Sequence, residues 1–358
     1  MSNYGNYRVL VADRNGLPIA ELDVPLSCTW ARNEQGSAEL SISARYDSKA
    51  KREYLKPGNL LIFEHVRLGG WIGVIVPHDG MEWHGSGEIL VRAREGIFQF
   101  ARRRAPLYNF QDGELGVSGS TSAVLRRMIA YANNDEDAHL REGAISEVPK
   151  LGIYPLNEYI LSDVLAKLIK RGKVFVWTTP GRDTNNCFVI NVNMVPMSTL
   201  EGQGYYPLQE DINIETPSGL FYREDGELVN DAVVRSTDDA SEINHHVRKV
   251  NERSIMDYGR WQGRFVQSAE EDSTVIAVAD KIISDRSELQ RKVSIVAIET
   301  PESPSTFSSI RVGKMVRVIL NSVGFYFGDV GVDLLAQIVA MEYATDENKV
   351  ILTVEVQQ

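Results

Sequence analysis

Cysteine is nearly absent, with Cys28 and Cys187 the only two in 358 residues. They lie too far apart in sequence for a disulfide framework or a zinc site, and two buried free thiols are expected. Long apolar runs are missing as well. Leu60-Leu61-Ile62-Phe63 and the stretch from Trp71 to Val76, interrupted by Gly73, are far too short to cross a bilayer. The N-terminus MSNYGNYRVLVADRNG has no basic region leading into an apolar one. No signal peptide is therefore expected, and the chain reads as made in a cytoplasm and soluble there. Net positive charge is lacking too: 38 Lys and Arg against 49 Asp and Glu leave −11. A general nucleic-acid binder needs a cationic face to neutralise phosphates, so that class is disfavoured. A repelling field would instead let DNA slide past without sticking.

The motifs that carry catalysis are also missing, with no Walker-type loop, GxSxG elbow or HExxH helix. His245 and His246 are adjacent, and i,i+1 neighbours point to different sides of a helix or strand, so a solvated loop pair is expected rather than a metal site. His78, Asp79, Glu82 and His84 are ligand types, but Asp79-Gly80 marks a hairpin tip. Asp238-Asp239 and Glu270-Glu271-Asp272 sit in polar stretches that read as solvated loops, not as a paired-acid hydrolase site. Trp30, Trp71, Trp83, Trp177 and Trp261 would stack on sugars in a glycan-binding protein, yet aromatics in a β-rich chain serve the core more often. Arg102-Arg103-Arg104 reads as an inter-subunit or solvated cation cluster. No enzymatic activity, cofactor or metal is expected.

What is present is the balance of a folded globular protein, 43% hydrophobic and 24% charged. The length exceeds what one core usually serves, so two or more packed units are expected. Residues 1–105 read as short strands divided by turns. Tyr7 to Val11 alternates, Asn15-Gly16 is a hairpin signal, and Ile19 to Val24 returns. Further strands are expected at Ala38–Ser43, Asn59–Glu64, Trp71–Val76 and Glu88–Arg94. Over 106–204 the character changes to an α+β insert. Val124, Leu125, Met128, Ile129 and Ala132 predict a helix over 120–133, capped by Ser120, Thr121 or Ser122. Val164, Leu165, Leu168 and Ile169 predict a second helix over 162–171, with Ser162 or Asp163 at its start and Gly172 at its end. Strands at Val174–Thr178 and Phe188–Val195 follow. Residues 205–227 read as a linker or return strand. From 228 to 358 the β pattern resumes, with a helical insertion near 268–309 whose stripe is Val278, Ala279, Ile282 and Ile283.

The two β-rich parts share an order of events. Lys56-Pro57-Gly58-Asn59 leads into Leu60-Leu61-Ile62-Phe63, and Arg311-Val312-Gly313-Lys314 leads into Met315-Val316-Arg317-Val318. The next strand is Trp71-Ile72-Gly73-Val74-Ile75-Val76 in one copy and Leu335-Ala336-Gln337-Ile338-Val339-Ala340 in the other. A turn and a closing strand follow in both, Glu88 to Val91 against Val350 to Thr353. Two similar modules in one chain would let three chains build a ring of six near-equivalent units.

The layout resembles the phage tail hub family, the tail-tip or tail-associated proteins of long non-contractile tails and the related baseplate hubs of contractile tails. The matching stretches are Trp30 with Gly36-Ser37-Ala38-Glu39-Leu40, Leu55-Lys56-Pro57-Gly58, Trp71-Ile72-Gly73-Val74-Ile75 and Gly96 to Arg104. Asn230-Asp231-Ala232-Val233-Val234, Ser254-Ile255-Met256-Asp257-Tyr258-Gly259, Ala279-Asp280-Lys281-Ile282 and Arg311-Val312-Gly313-Lys314 complete the set. They run in order through nearly the whole chain. The resemblance implies a mainly β fold, with two related tail-tube-like β-barrel domains, a small α/β insert and a helix-containing peripheral insertion. It also implies a homotrimer in the virion tail tip whose pseudo-sixfold ring caps or continues the tail tube and encloses a DNA exit channel. The implied partners are the distal tail or tail tube protein, the tape measure protein, tail fibre or tip proteins, passing phage DNA without specific binding, and the host surface indirectly. Asp238, Asp239 and Glu242 would then form a lumen-facing acidic loop. The competing readings are a glycan-binding tail-tip adhesin and a cell-wall hydrolase.

Overall fold

The computed structural model describes residues 7–22, 27–33, 38–45, 53–77, 81–84, 88–103, 116–134, 136–149, 151–155, 160–201, 204–215, 221–225, 228–236, 246–267, 272–288, 290–321, 332–344 and 349–356. It divides into two compact units, Met1–Leu220 with Ser294–Gln358, and Phe221–Val293. The chain is mainly β. Among the described residues no helix is long and apolar enough to cross a membrane.

The first unit begins with the hairpin that Asn15-Gly16 predicts. Tyr7–Ala12 pairs antiparallel with Pro18–Leu22. The Asp13 side chain accepts hydrogen bonds from the backbone N–H of Asn15 and Leu17, at 2.8 and 2.9 Å, and Gly16 takes the left-handed backbone at φ +81°. The same turn recurs between the strands Val174–Arg182 and Phe188–Pro196. There Asp183 accepts from Asn185 and Cys187, and Asn186 takes the left-handed position at φ +62°. The two turns touch, for the N–H of Phe188 donates to the Gly16 carbonyl at 2.7 Å. A Cβ on Gly16 would stand 2.4 Å from the Phe188 carbonyl oxygen, so both backbone conformation and close approach require glycine here.

The strands of this unit lie side by side in the order Lys349–Val356, Val332–Ala344, Ser27–Asn33, Ala38–Arg45, Glu88–Glu95, Gly69–Ile75, Leu60–His65, Tyr7–Ala12 and Pro18–Leu22, each antiparallel to the next. Met315–Leu320 joins beside Val332–Ala344, and Tyr206–Gln209 runs parallel to Met315–Leu320. Strands that the sequence reading sorts into 1–105 and 228–358 therefore share one sheet, joined where Tyr343 pairs with Trp30.

The insert packs its helices Thr121–Ala132 and Leu161–Gly172 on a sheet in which Leu140–Ile145 runs parallel to Phe188–Pro196. Its core is continuous with the large sheet: Leu60, Ile62, Ile72 and Val74 cluster with Val124, Leu125, Leu161, Leu168, Val176 and Ile190. Buried Glu95, at the end of its strand, accepts from both the N–H and the hydroxyl of Thr178 at 2.9 Å. Ser120 caps the first helix, its hydroxyl accepting from the N–H of Ala123 at 3.2 Å. The second helix departs from the reading. Ile160 precedes it without a side-chain cap, and Lys173 rather than Gly172 takes the left-handed position, at φ 50°. Gly172 serves closeness instead, since a Cβ there would come within 2.8 Å of the Thr121 side chain.

The repeated glycine motif closes the same bonds twice. The N–H of Gly58 donates to the Ile75 carbonyl, and the N–H of Ile75 returns to the Asn59 carbonyl, both at 2.9 Å. The N–H of Gly313 donates to the Ile338 carbonyl at 2.7 Å, and the N–H of Ile338 returns to Lys314 at 3.0 Å. Gly58 and Gly313 share the left-handed backbone, at φ +93° and +88°. The equivalent of Ile75 is thus Ile338, one residue before the Val339 that alignment of the strands selects. The register shift between Ile338 and Ala340 adds the residue that misleads the count.

In the second unit Asp231–Ser236 lies between antiparallel His246–Val250 and parallel Gln262–Gln267. The helix Asp272–Arg286 buries Val275 and Ala279 against Val234, with Val247, Phe265, Val278 and Ile282 packed around them. A short helix at Glu252–Tyr258, capped by Asn251, is absent from the sequence reading because seven residues are too few to display a stripe.

The two left-handed glycines are expected to tolerate alanine differently. Gly58→Ala meets nothing within 4 Å, so it costs about 1 kcal/mol of backbone strain. Gly16→Ala adds the collision with Phe188, and a loss of roughly 3 kcal/mol is expected. Urea denaturation of both variants checks this; equal losses would show that the first hairpin is not seated on Phe188.

Candidate functional site

Among the described residues no group of three or more His, Cys, Asp or Glu side chains comes together to hold a metal. His78, Asp79, Asp238, Asp239, Glu242, His245, Glu270 and Glu271 lie outside the described residues. Glu82 and His84 belong to a strand, Met81–His84, and Asp272 opens a helix. His246 is exposed at the start of its strand. The cation cluster divides: Arg102 is exposed, Arg104 lies outside the described residues, and Arg103 binds within the chain. Its guanidinium donates to the Ala132 carbonyl and pairs with Glu136 at 3.3 Å, tying the strand exit to the first insert helix. Cys187 is free and only half-buried, against the buried thiol expected, because it sits in the Asp183 turn. Desolvation, then Asp183 and Asp13, push its thiol up, away from a reactive thiolate. Of the tryptophans, Trp71 is buried, Trp177 half-buried and Trp261 55% exposed. The strands carrying Trp30 and Trp83 are Ser27–Asn33 and Met81–His84.

Three local arrangements stand out. The first is an aromatic cluster around His65, which lies one residue past the strand Asn59–Glu64 that the sequence predicts. Its ring lies 6.3 Å from Phe63, 5.1 Å from Tyr343 and 6.4 Å from Phe307. Phe63 lies in Leu60–His65 and Tyr343 in Val332–Ala344, so the cluster brings an early and a late strand together. Nδ1 of His65 accepts from the backbone N–H of Arg67 and Leu68 at 3.1 and 3.0 Å, which shapes the turn to Gly69. A proton on Nδ1 would break both bonds. Burial, and then the nearby Arg67 charge, lower the His65 pKa to about 4. Arg67 itself pairs with Glu299 and donates to the Pro304 carbonyl at 2.8 Å.

The second arrangement is a cleft of about 240 Å³ beside that turn, lined among others by Arg67, Gly70, Phe175, Trp177, Phe307 and Arg311. Phe175 and Trp177 stack at 5.4 Å along one face of their strand. The volume falls below that of ordinary small-molecule sites, roughly 300–1,000 Å³, and fits a side chain better than a cofactor.

The third is a polar knot in the second unit. Asp231, fully buried, accepts two bonds from the Arg248 guanidinium at 2.8 and 2.6 Å, and one each from Arg260 and Gln262 at 3.0 Å. The Arg248 hydrogen bonds first, then those from Gln262 and the charges of both arginines, hold this carboxyl well below the usual range. Beside it Asn230 donates to the Ser254 hydroxyl and the Gly259 carbonyl and accepts from the N–H of Trp261. The knot is cohesive, every partner lying within the chain, and its chemistry is positional.

His65 makes the first unit sensitive to acid. Its folded pKa, about 4, lies below its ordinary value of 6.5, so the unfolded chain binds the proton first as pH falls. Its stabilisation is complete above about pH 6.5 and is lost as pH falls towards about 4. Between about pH 7 and about pH 5 the wild type is expected to lose about 2 kcal/mol more than His65→Asn, whose side-chain oxygen can take the place of Nδ1 without titrating. Urea titrations at both pH values check this. Parallel losses would show that His65 is not held neutral.

No family model and no curated protein matches the sequence. Solved structures match over nearly the whole chain. The 43 kDa tail protein of prophage MuSo2 from Shewanella oneidensis superposes with a TM-score of 0.63 at 11% identity, covering 98% of each chain. The tail protein from Neisseria meningitidis MC58 gives 0.59 at 11%, covering 99% of this chain and 97% of its own. Prophage tail protein gp18 from Listeria monocytogenes EGD-e gives 0.56 at 12%, covering 97% and 94%. At such identities the agreement is one of fold. This chain has the fold of prophage tail proteins.

Proposed function

We propose that this chain is a structural component of a phage tail, and within it the trimeric hub that continues the tail tube at the tip or baseplate. The observation that carries the reading is the end-to-end match to tail proteins, with nearly all of each chain covered. The duplicated bonding of Gly58 and Gly313 supports the finer part. Two equivalent strand pairs per chain give three chains six near-equivalent units, the number needed to meet a sixfold tube. The net charge of −11 suits a channel that DNA crosses without adhesion. The tail tube or distal tail protein would sit on one side of the ring, and tip or fibre proteins on the other.

The purified chain is expected to sediment as a trimer of about 120 kDa, three times its 40.0 kDa. Electron microscopy of assembled tails carrying the tagged chain is expected to place it in a threefold ring at the tip. A single copy per tail, or a position along the shaft, would overturn the hub reading while leaving a tail protein.

A further inference from the structure

The repeat runs further than its glycine-led bonds, and its two copies end differently. In each copy the closing strand sets the register. Ala93 of Glu88–Glu95 pairs with Ile75, and Val354 of Lys349–Val356 pairs with Ile338. Counting back from these residues sets Val91, Leu90 and Ile89 level with Leu352, Ile351 and Val350. The first three pair with Met81, Glu82 and Trp83, and the second three with Met341, Glu342 and Tyr343. Met81–His84 is therefore the counterpart of the segment from Met341 to Ala344, and both begin Met-Glu-aromatic. Residues 76–80 stand where the second copy has only 339 and 340.

The outer edges of these counterparts differ. In the second copy that edge carries Ser27–Asn33, a strand of the first, with Met341 level with Arg32 and Tyr343 level with Trp30. Among the described residues Met81–His84 pairs with Glu88–Glu95 alone. The N–H and carbonyl of Ile75 point away from Glu88–Glu95, to Asn59 and Gly58. Alternation along Glu88–Glu95 gives Met81 and Trp83, level with Val91 and Ile89, the same outward direction. The bond from the Val76 N–H to the Arg92 carbonyl fits that phase. An open edge is a row of backbone donors and acceptors that another strand can satisfy.

The same correspondence selects the strand. Ser27–Asn33 lies beside Ala38–Arg45, which lies beside Glu88–Glu95. In the second copy the order from Lys349–Val356 is Gln290–Ala297 and then Phe221–Asp225, where the listed path of strands ends. Phe221–Asp225 thus holds the place of Ser27–Asn33, and its outer edge is open among the described residues. One joint between copies is made inside the chain. Both halves of the matching joint stand open on the same chain.

We infer that Met81–His84 pairs edge to edge with Phe221–Asp225 of a second copy of this chain, repeating between chains the joint that Val332–Ala344 and Ser27–Asn33 make within one. Such a contact is head to tail and closes into a ring, so the inference rests on the trimeric reading above and names the strands that build it.

The test uses the full chain carrying Cys28→Ser and Cys187→Ser. Trp83→Cys is combined in turn with Tyr222→Cys, Arg223→Cys and Glu224→Cys, and the oxidised proteins are run on gels without reductant. At least one pair is expected to give covalent dimers and trimers that reductant dissolves, while the single-cysteine chains give none. Met81→Pro removes an outward N–H and spares the bonds to Glu88–Glu95. Trimerisation is expected to weaken at least about tenfold in sedimentation velocity, with circular dichroism unchanged. Should Met81→Pro misfold, the cysteine pairs carry the test. Trimers with no cross-link between chains from any pair, or a folded Met81→Pro that trimerises like wild type, overturn the inference and leave the trimeric hub standing. Cross-links confined within one chain overturn it in favour of a sheet closed on itself. A covalent dimer from Trp83→Cys alone overturns it in favour of a twofold edge. A wild-type chain that stays monomeric overturns both.

Discussion

The strands Leu60–His65 and Gly69–Ile75 are apolar on both faces, and neither face can be left to water. Leu60, Ile62, Ile72 and Val74 on one side are covered by the insert, whose helices supply Val124, Leu125, Leu161 and Leu168 to the same core. At roughly 25 cal/mol for each Å² of apolar surface, leaving that layer wet would exceed the net stability of a typical domain. The insert is therefore a wall of the first unit, and its fixtures follow from that role. Gly16 seats against Phe188, and Glu95 reaches across to Thr178. Arg103 holds the end of the first insert helix.

On the other side of the same strands lie Phe63 and His65, against Tyr343 and Phe307 from the opposite end of the chain. A single aromatic cluster thus joins early and late sequence, and the histidine inside it must stay neutral to keep its turn. The two Gly-led motifs close the same backbone bonds, which is the physical content of the repeat. Equivalent bonds at Gly58 and Gly313 mean equivalent strand geometry, and equivalent geometry is what a ring of repeated contacts needs.

The second unit is small and carries less apolar burial, with Val234, Val275 and Ala279 at its centre. Its order comes from polar bonds: one buried carboxylate gathers two arginines and a glutamine, and one asparagine ties the helix Glu252–Tyr258 and the segment that follows it. Such bonds fix positions strongly while adding little net stability.

The sequence by itself determined the local elements. Alternation at Ala38–Arg45, the apolar stripe of Thr121–Ala132 with Ser120 at its cap, and the Asn15-Gly16 turn are short-range signals, and each has a local physical cause. The twin turn at Asp183 was harder to read because Asn186, without a glycine, holds the left-handed position. Tertiary structure decided the rest. That Val332–Ala344 pairs with Ser27–Asn33 depends on chain ends three hundred positions apart, for which alternation holds no address. That His65 is buried among aromatics, and that Asp231 lies under two arginines, depends on which face each sheet covers. Periodicity states that a strand has two faces; only packing states what lies against each.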